Sequence, residues 1–437
     1  MTQANQNPFN INSTKMQFKP GSRHKMHSTP CGRRRKETLS KDADKRASRL
    51  QFLAFLALCL HCVALSAADT NALSLHLRSP LDYQVFQRQK GATTLVAIAG
   101  DFQTEIKGTA LPDTLETKIS AKSVTGALTN DWQRLPCDSR VASFRGQLAV
   151  PAGGWYELNI RALRNGVQVA VATVKHFGVG EVFVIAGQSN SANYGEERQR
   201  TKTGLVAAFD GQCWQLANDP QPGAGGNRGS FMPLFGDALA ERLGVPIGIV
   251  ARGVGSTSVR EWLPPGTRIL RLSPLTRNVI TIGPGEWEVN GKIFNDFTSR
   301  MAQLGPYGFR AVLWHQGESD ANQGDPERTL PGEQYRRCLE QLIRESRKVI
   351  GWEAPWFVAQ VSSHGSKEDR SSDIRAAQKA LWDTGVALEG PDTDALTGDM
   401  REKNGTGVHF SSQGLREHAR LWTEKVAPWV EQQANKK

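Results

Sequence analysis

The chain has 437 residues, 39% of them hydrophobic and 22% charged, with a formal net charge of +11. That length can hold two domains and bury sizeable cores. The basic excess is local: residues 1–68 hold 12 Lys/Arg against 3 Asp/Glu, a net of +9, leaving 42 − 40 = +2 for the remainder, so a nucleic-acid partner is excluded for the folded part.

In chain order, residues 1–68 read as a basic leader and signal peptide. Arg33-Arg34-Arg35-Lys36 and Lys45-Arg46 precede an apolar run from Phe52 to Leu65, and Ser66-Ala67-Ala68 follows. A positive region, an apolar stretch and small residues make a secretory signal. The run is shorter than the roughly 20 residues of a membrane span. The expected mature chain is therefore secreted or periplasmic, with no membrane attachment after cleavage. The positive region is long for a signal, and Met26 is an alternative start; an uncleaved anchor is the rival reading. Cys59 and Cys62 fall inside the apolar run, so their C-x-x-C spacing is coincidental. Cys137, Cys213 and Cys338 remain, which permits at most one disulfide within a molecule.

Residues 69–178 read as an all-β sandwich. Apolar positions alternate over Trp155–Ile160 and Val167–Val171, and Asn165-Gly166 between them is a two-residue hairpin signal, because both residues tolerate positive φ. Residues 179–437 change pattern. Strand-like runs at 182–186, 247–251, 310–314, 355–361 and 386–389 alternate with helical stretches at 234–243, 335–350 and 373–382. A closing helix follows Ser411-Ser412. Such alternation predicts a parallel sheet with helices on both faces, and ligands bind outside the carboxyl ends of its strands.

Polar motifs follow those strands: GQSN at 187–190, GSTSVREW at 255–262, WHQGESD at 314–320 and GVHF at 407–410. Ser189 ends the apolar run Val182–Ala186 after a glycine, the geometry a serine nucleophile needs. With these four motifs in order, residues 178–430 resemble the sialate O-acetylesterase-type hydrolases, a branch of the SGNH (GDSL-like) superfamily that includes acetylxylan esterases. The resemblance implies a three-layer α/β, flavodoxin-like hydrolase domain. It also implies carbohydrate O-acetylesterase activity through a serine acyl-enzyme, on an acetylated sugar or polysaccharide of sialate or xylan type.

On that resemblance Ser189 is the nucleophile and His409 the base. Many relatives carry aspartate three residues before the histidine; here that position is Thr406, which cannot supply the orienting negative charge. Glu318 is the first choice for that role, with Asp399, Asp394 and Asp320 as alternatives. Oxyanion-hole candidates are the N–H of Ser189, a backbone N–H of the Gly255-Ser256 turn and the side-chain amide of Gln316. Asn190 is expected at the nucleophile turn. Trp262 and Trp287 could stack on sugar, with Asn190 and Trp262 named as substrate contacts; Trp314 is expected in the core. The Pro- and Gly-rich stretch 263–296 reads as an irregular, substrate-shaping loop. No metal or cofactor is expected: the histidines are scattered, and Gly223–Gly229 lacks the partners of a phosphate loop. The competing readings are a weakly active carbohydrate-binding protein, suggested by Thr406, and an SGNH lipase or thioesterase with an extended apolar groove.

Overall fold

The computed structural model describes residues 73–104, 108–121, 131–136, 141–269, 277–321, 329–363 and 370–435. The leader and Cys137 lie outside them; Cys213 and Cys338 are both free thiols. Burial pushes the Cys338 thiol up to about 12.

The first eight strands are β1 (Leu73–Ser79), β2 (Gln84–Gln87), β3 (Thr93–Thr104), β4 (Thr114–Ala121), β5 (Gln133–Leu135), β6 (Ser143–Pro151), β7 (Gly153–Arg164) and β8 (Val167–Gly187). Strands β1, β3 and β6 form one antiparallel sheet, while β4, β5, β7 and the first part of β8 belong to a second. Alternation decides which side chains face inward: along β3, Thr94, Val96 and Ile98 are buried and Thr93, Leu95 and Ala97 exposed. The inward residues of both sheets, among them Leu75, Ile98, Phe144, Tyr156, Leu158 and Phe177, make one core. Asn165 and Gly166 turn the β7–β8 hairpin at φ 51° and 78°.

Strand β8 does not stop at the end of this region. Its 21 residues run on through Gly178-Val179-Gly180, where the sequence pattern changes, and its last eleven residues are all buried. There it becomes a central strand of a parallel sheet. The other members are β9 (Val206–Phe209), β11 (Ile247–Ala251), β15 (Ala311–His315), β16 (Trp356–Gln360) and β17 (Leu388–Asp392), with β10 (Trp214–Leu216) antiparallel at one edge. Their order is β10-β9-β11-β8-β15-β16-β17. The five strand-like runs of the sequence anticipated β8, β11, β15, β16 and β17 to within a few residues. The short strands β9 and β10 were not anticipated, because a run as brief as Val206–Phe209 carries no period of its own.

Helices cover both faces. Helix α1 (Met232–Leu243) and the C-terminal helix Ser412–Asn435 pack one core with Phe183, Ile185 and Ile249. Helices α2 (Lys292–Gln303), α3 (Gly332–Ile350) and α4 (Ser372–Asp383) pack the other with Val182, Val184 and Trp314. Consecutive β8 residues thus feed opposite cores, which is why the run carries no polar residue between them. In the stretch expected to be an irregular loop, the described residues 263–269 and 277–296 include regular structure. Strands β12 (Arg268–Ile269), β13 (Val279–Gly283) and β14 (Glu286–Val289) form a small antiparallel sheet ahead of α2.

Two glycines let neighbouring chain come close. A Cβ at Gly180 would fall 1.8 Å from the Pro246 carbonyl oxygen, and one at Gly187, at φ 130°, 2.0 Å from that of His315. Between the two cores' ends, the fully buried Glu181 carboxylate is held by Arg88, by Arg310 Nε at 2.6 Å and by Gln87 Nε2 at 2.8 Å. Two cations and an amide satisfy it, as a buried carboxylate requires. Among the described residues no helix is long and apolar enough to cross a membrane.

Candidate active site

Ser189 opens a single 3₁₀ turn, Ser189–Ser191, directly after β8. The turn is fixed from both sides: Gln188 N–H donates to the His315 carbonyl at 3.0 Å and Ser191 N–H to the Gln188 carbonyl at 2.9 Å. The Gln188 side-chain oxygen accepts from the Ser319 N–H at 3.0 Å, binding the turn to the loop after β15. The Val254 N–H donates to the Gly187 carbonyl at 2.8 Å, which brings the Gly255-Ser256 turn alongside the end of β8. Ser256 is exposed and holds φ 57°, an uncommon conformation for a residue with a side chain.

His409 lies on a loop beside that turn. Its ring stacks on Tyr194 with centroids 5.3 Å apart and an interplanar angle of 25°. Its Nδ1 lies 2.7 Å from Glu402 Oε1. The carboxylate on His409 is therefore Glu402, and not Glu318 or the alternatives Asp399, Asp394 and Asp320. Glu402 is seven residues upstream, yet it stands opposite His409 because the chain folds back between them. Arg401 bridges Phe410, the Glu402 N–H donates to the His409 carbonyl at 2.9 Å, and the Gly407 N–H donates to the Glu402 carbonyl at 2.9 Å. Lys403, Asn404 and Gly405 make the reversal at φ 54°, 56° and 84°. The Asn404-Gly405 pair was the signal available in the sequence: a tight reversal there faces residue 402 toward residue 409.

The other Glu402 oxygen accepts from Arg228 Nη1 at 2.8 Å. Burial pushes the Glu402 carboxyl up, but the bonds from Arg228 and His409 more than reverse this and hold it below the ordinary carboxylate value. Burial also holds the His409 imidazole below its usual value, outweighing the opposing bond and charge of Glu402; Arg228 and Lys403 add to the depression. At neutral pH the pair is an imidazole base on an ionised carboxylate.

The remaining candidates sort as follows. Asn190 Nδ2 donates to Glu318 Oε1 at 3.0 Å and to the Val408 carbonyl at 3.3 Å, so one buried amide ties the nucleophile turn to the residue before His409. Through these two bonds it braces the loops. The Val408 carbonyl also accepts from Arg401 Nη1 at 2.9 Å, while Arg401 Nε donates to the Leu396 carbonyl at 2.6 Å. Glu318 is fully buried, and burial raises its carboxyl to about 7 against the lowering pull of Asn190 and Arg401. Asp320 accepts from Ser258 Oγ at 2.5 Å and Asp394 accepts from Arg375 Nη1 at 2.9 Å; both are structural carboxylates. Asp399 takes part through its main chain, its carbonyl accepting from Ser411 Oγ at 2.5 Å.

Gln316 is wholly buried, and its amide donates to Asp320 Oδ2 at 2.7 Å and the Thr257 carbonyl at 3.1 Å. Those bonds commit it to bracing the loop and correct its assignment to the oxyanion hole. Trp262 is likewise corrected: it is fully buried against Trp314 and Phe297, with its Nε1 on Thr257 Oγ1 at 3.0 Å. Trp314 is in the core, and Trp287 is half-buried in β14. Ser189, Ser256 and His409 stand on three adjacent loops at the carboxyl edge of the sheet. Among the described residues no three His, Cys, Asp or Glu side chains form a metal-holding group.

The structure thus sets a serine turn after a central parallel strand, with a histidine–carboxylate pair on a neighbouring loop. The family model for carbohydrate esterase, sialic acid-specific acetylesterase, matches residues 179–427, and the chain belongs to that family. Among solved structures, similarity extends to a carbohydrate acetylesterase from Xanthomonas citri at 16% identity and TM-score 0.46, covering 78% of this chain and 72% of that one. It also extends to NanS at 16% identity and TM-score 0.37, covering 58% of this chain and 98% of that one. A variant of Axe2, an acetyl-xylooligosaccharide esterase from Geobacillus, aligns at 14% identity and TM-score 0.35, with 56% and 94% of the two chains covered. No curated protein matches the chain.

Proposed function

We propose that the chain is a secreted or periplasmic carbohydrate O-acetylesterase working through an acetyl–Ser189 intermediate. Ser189 Oγ attacks the acetyl carbonyl while His409 takes its proton, and Glu402 holds the imidazole and stabilises its protonated form. The tetrahedral oxyanion is met by the N–H of Ser189 and a backbone N–H of the Gly255-Ser256 turn. His409 returns the proton to the departing sugar oxygen. It then takes a proton from water as that water attacks the acetyl–serine carbonyl, and gives the proton to Ser189 Oγ as the ester bond breaks, releasing acetate and restoring Ser189.

The observation that carries this reading is the Glu402–His409 contact of 2.7 Å. It supplies the carboxylate that Thr406 lacks, which supports an active enzyme over an inactive binding protein. The substrate class is an O-acetylated sugar of sialate or xylan type. The apolar run and basic leader within residues 1–68 support export.

Acetate release from O-acetyl sialic acid and from acetylated xylan, beside Ser189→Ala, tests the reading. Serine-dependent release from one of them is expected, and the faster substrate names the class. A folded protein that releases acetate from neither, or whose Ser189→Ala variant is equally active, overturns it.

A further inference from the structure

A groove lies on the other side of the molecule from the catalytic turn. Its cavity volume is about 850 Å³, within the ordinary range of ligand sites. One wall is the outward face of the β1–β3–β6 sheet, and the other is the loop Leu304–Gly308 that leads into the amino end of β15. Ser189 follows the carboxyl end of β8, which runs parallel to β15, so at about 3.3 Å per residue the groove and the nucleophile are some 25 Å apart.

The sheet floor of the groove sets Leu95, 63% exposed, beside smaller residues: Ala97 pairs with Gln147 across the strands and Ala99 with Arg145, and Ser79 of β1 sits beside Ala99. A second hollow over the same residues extends it along the sheet. The side chains that rise from the floor are amides and cations. Gln147, Arg145 and Lys90 are exposed, and Arg78 is half-exposed beside Asp101 Oδ2 at 2.8 Å. No Asp or Glu is among the described residues that line either hollow. Tyr307 stands at the far wall, 60% exposed and held at φ 56°, its ring against Trp352 at 5.1 Å. Gln89 Nε2 donates to the Tyr307 carbonyl at 3.3 Å and links the two walls.

We infer that this groove is a binding site for an anionic polysaccharide, a strand bearing uronate-type carboxylates, separate from the acetyl-ester site. Small floor residues admit a flat chain. An exposed aromatic offers a face for a sugar ring, and amides offer donors and acceptors to hydroxyls. Arg78 is paired with Asp101, and Arg145 and Lys90 add positive charge beyond that pair, which favours a negatively charged chain over a neutral one. The occupant would tether the enzyme to its polymer while leaving the chemistry at Ser189 untouched.

The test compares binding of the full chain to polygalacturonate and to its fully methyl-esterified, uncharged form by affinity electrophoresis. Preferential binding of the charged polymer is expected. Tyr307→Ala should weaken it about fivefold and Arg145→Ala by a similar factor, with hydrolysis of 4-nitrophenyl acetate unchanged in both. Equal binding of the two polymers overturns the proposal. So does parental affinity in both variants, a result that would assign the binding to the basic leader with its net +9. Loss of hydrolysis in Ser189→Ala with polymer binding retained keeps the two sites distinct. Failure of the esterase reading would leave the binding result standing.

Discussion

The two halves of β8 are built of the same residue types and do different work. From Val167 to about Thr173 the strand alternates at the surface, with Val167 66% and Val171 56% exposed; from Phe177 to Gly187 every residue is buried. The first half pairs antiparallel with β7, and the second lies between β11 and β15 in a parallel sheet. A half-solvated antiparallel strand needs only one apolar face, whereas a central parallel strand covered by helices needs two. Reactive groups are held accurately only where both faces are packed, which is where Ser189 emerges.

The sharpest way to break this contrast is at the end of the buried half. Ser189→Ala and His409→Ala should each lower kcat for acetyl release by about a thousandfold or more, whereas Val171→Ala in the exposed half should leave kcat unchanged. Steady-state kinetics on one acetylated substrate reads all three. Next in size is the orienting carboxylate. Glu402→Gln should cost about a hundred- to ten-thousandfold in kcat, and Glu318→Gln less than about tenfold, since Glu318 braces Asn190 and does not touch His409. A Glu318→Gln enzyme as crippled as Glu402→Gln would return the role to Glu318.

The two halves should also differ in stability. Ile185→Ala, at a fully buried position, should cost about 2–4 kcal/mol in unfolding free energy. Val171→Ala should cost about 0.5 kcal/mol or less. Denaturant titration of both variants checks the difference.

The smallest effect is electrostatic. The proposed mechanism uses His409 as a neutral base, and its folded-state pKa is depressed, so the acid limb of kcat/KM should lie below pH 6.5, the ordinary histidine value. Arg228 lowers the His409 pKa through its charge, so Arg228→Ala should move that limb upward and reduce the rate only a few-fold. A limb that stays in place would separate Arg228 from the base.

Much of this was legible beforehand, for physical reasons. Buried parallel strands are continuous apolar runs, so the core strands at 182–186, 247–251, 310–314 and 355–361 stood out. The motifs after them fell at the sheet edge that parallel topology dictates. What escaped notice depends on side-chain direction. Trp262 and Gln316 sit in motifs that reach the site, yet both turn inward, one to Trp314 and the other to Asp320. Spacing along the chain does not report that turn. Glu402 is not marked by spacing either: it lies seven residues before His409 and is brought near by the reversal at Lys403, Asn404 and Gly405. Strands β12–β14 were obscured by the prolines and glycines around them.

Because β8 crosses from one sheet to the other without a break, the esterase half is not an excisable cassette. A polypeptide begun at residue 179, where the family match starts, would begin inside a strand. It would lose β2 and β7, the partners of β8 there, and leave the Glu181 carboxylate without Arg88. Shuffling this catalytic unit onto another accessory layer therefore requires the graft to supply a matching strand in register, and a flexible tether will not serve.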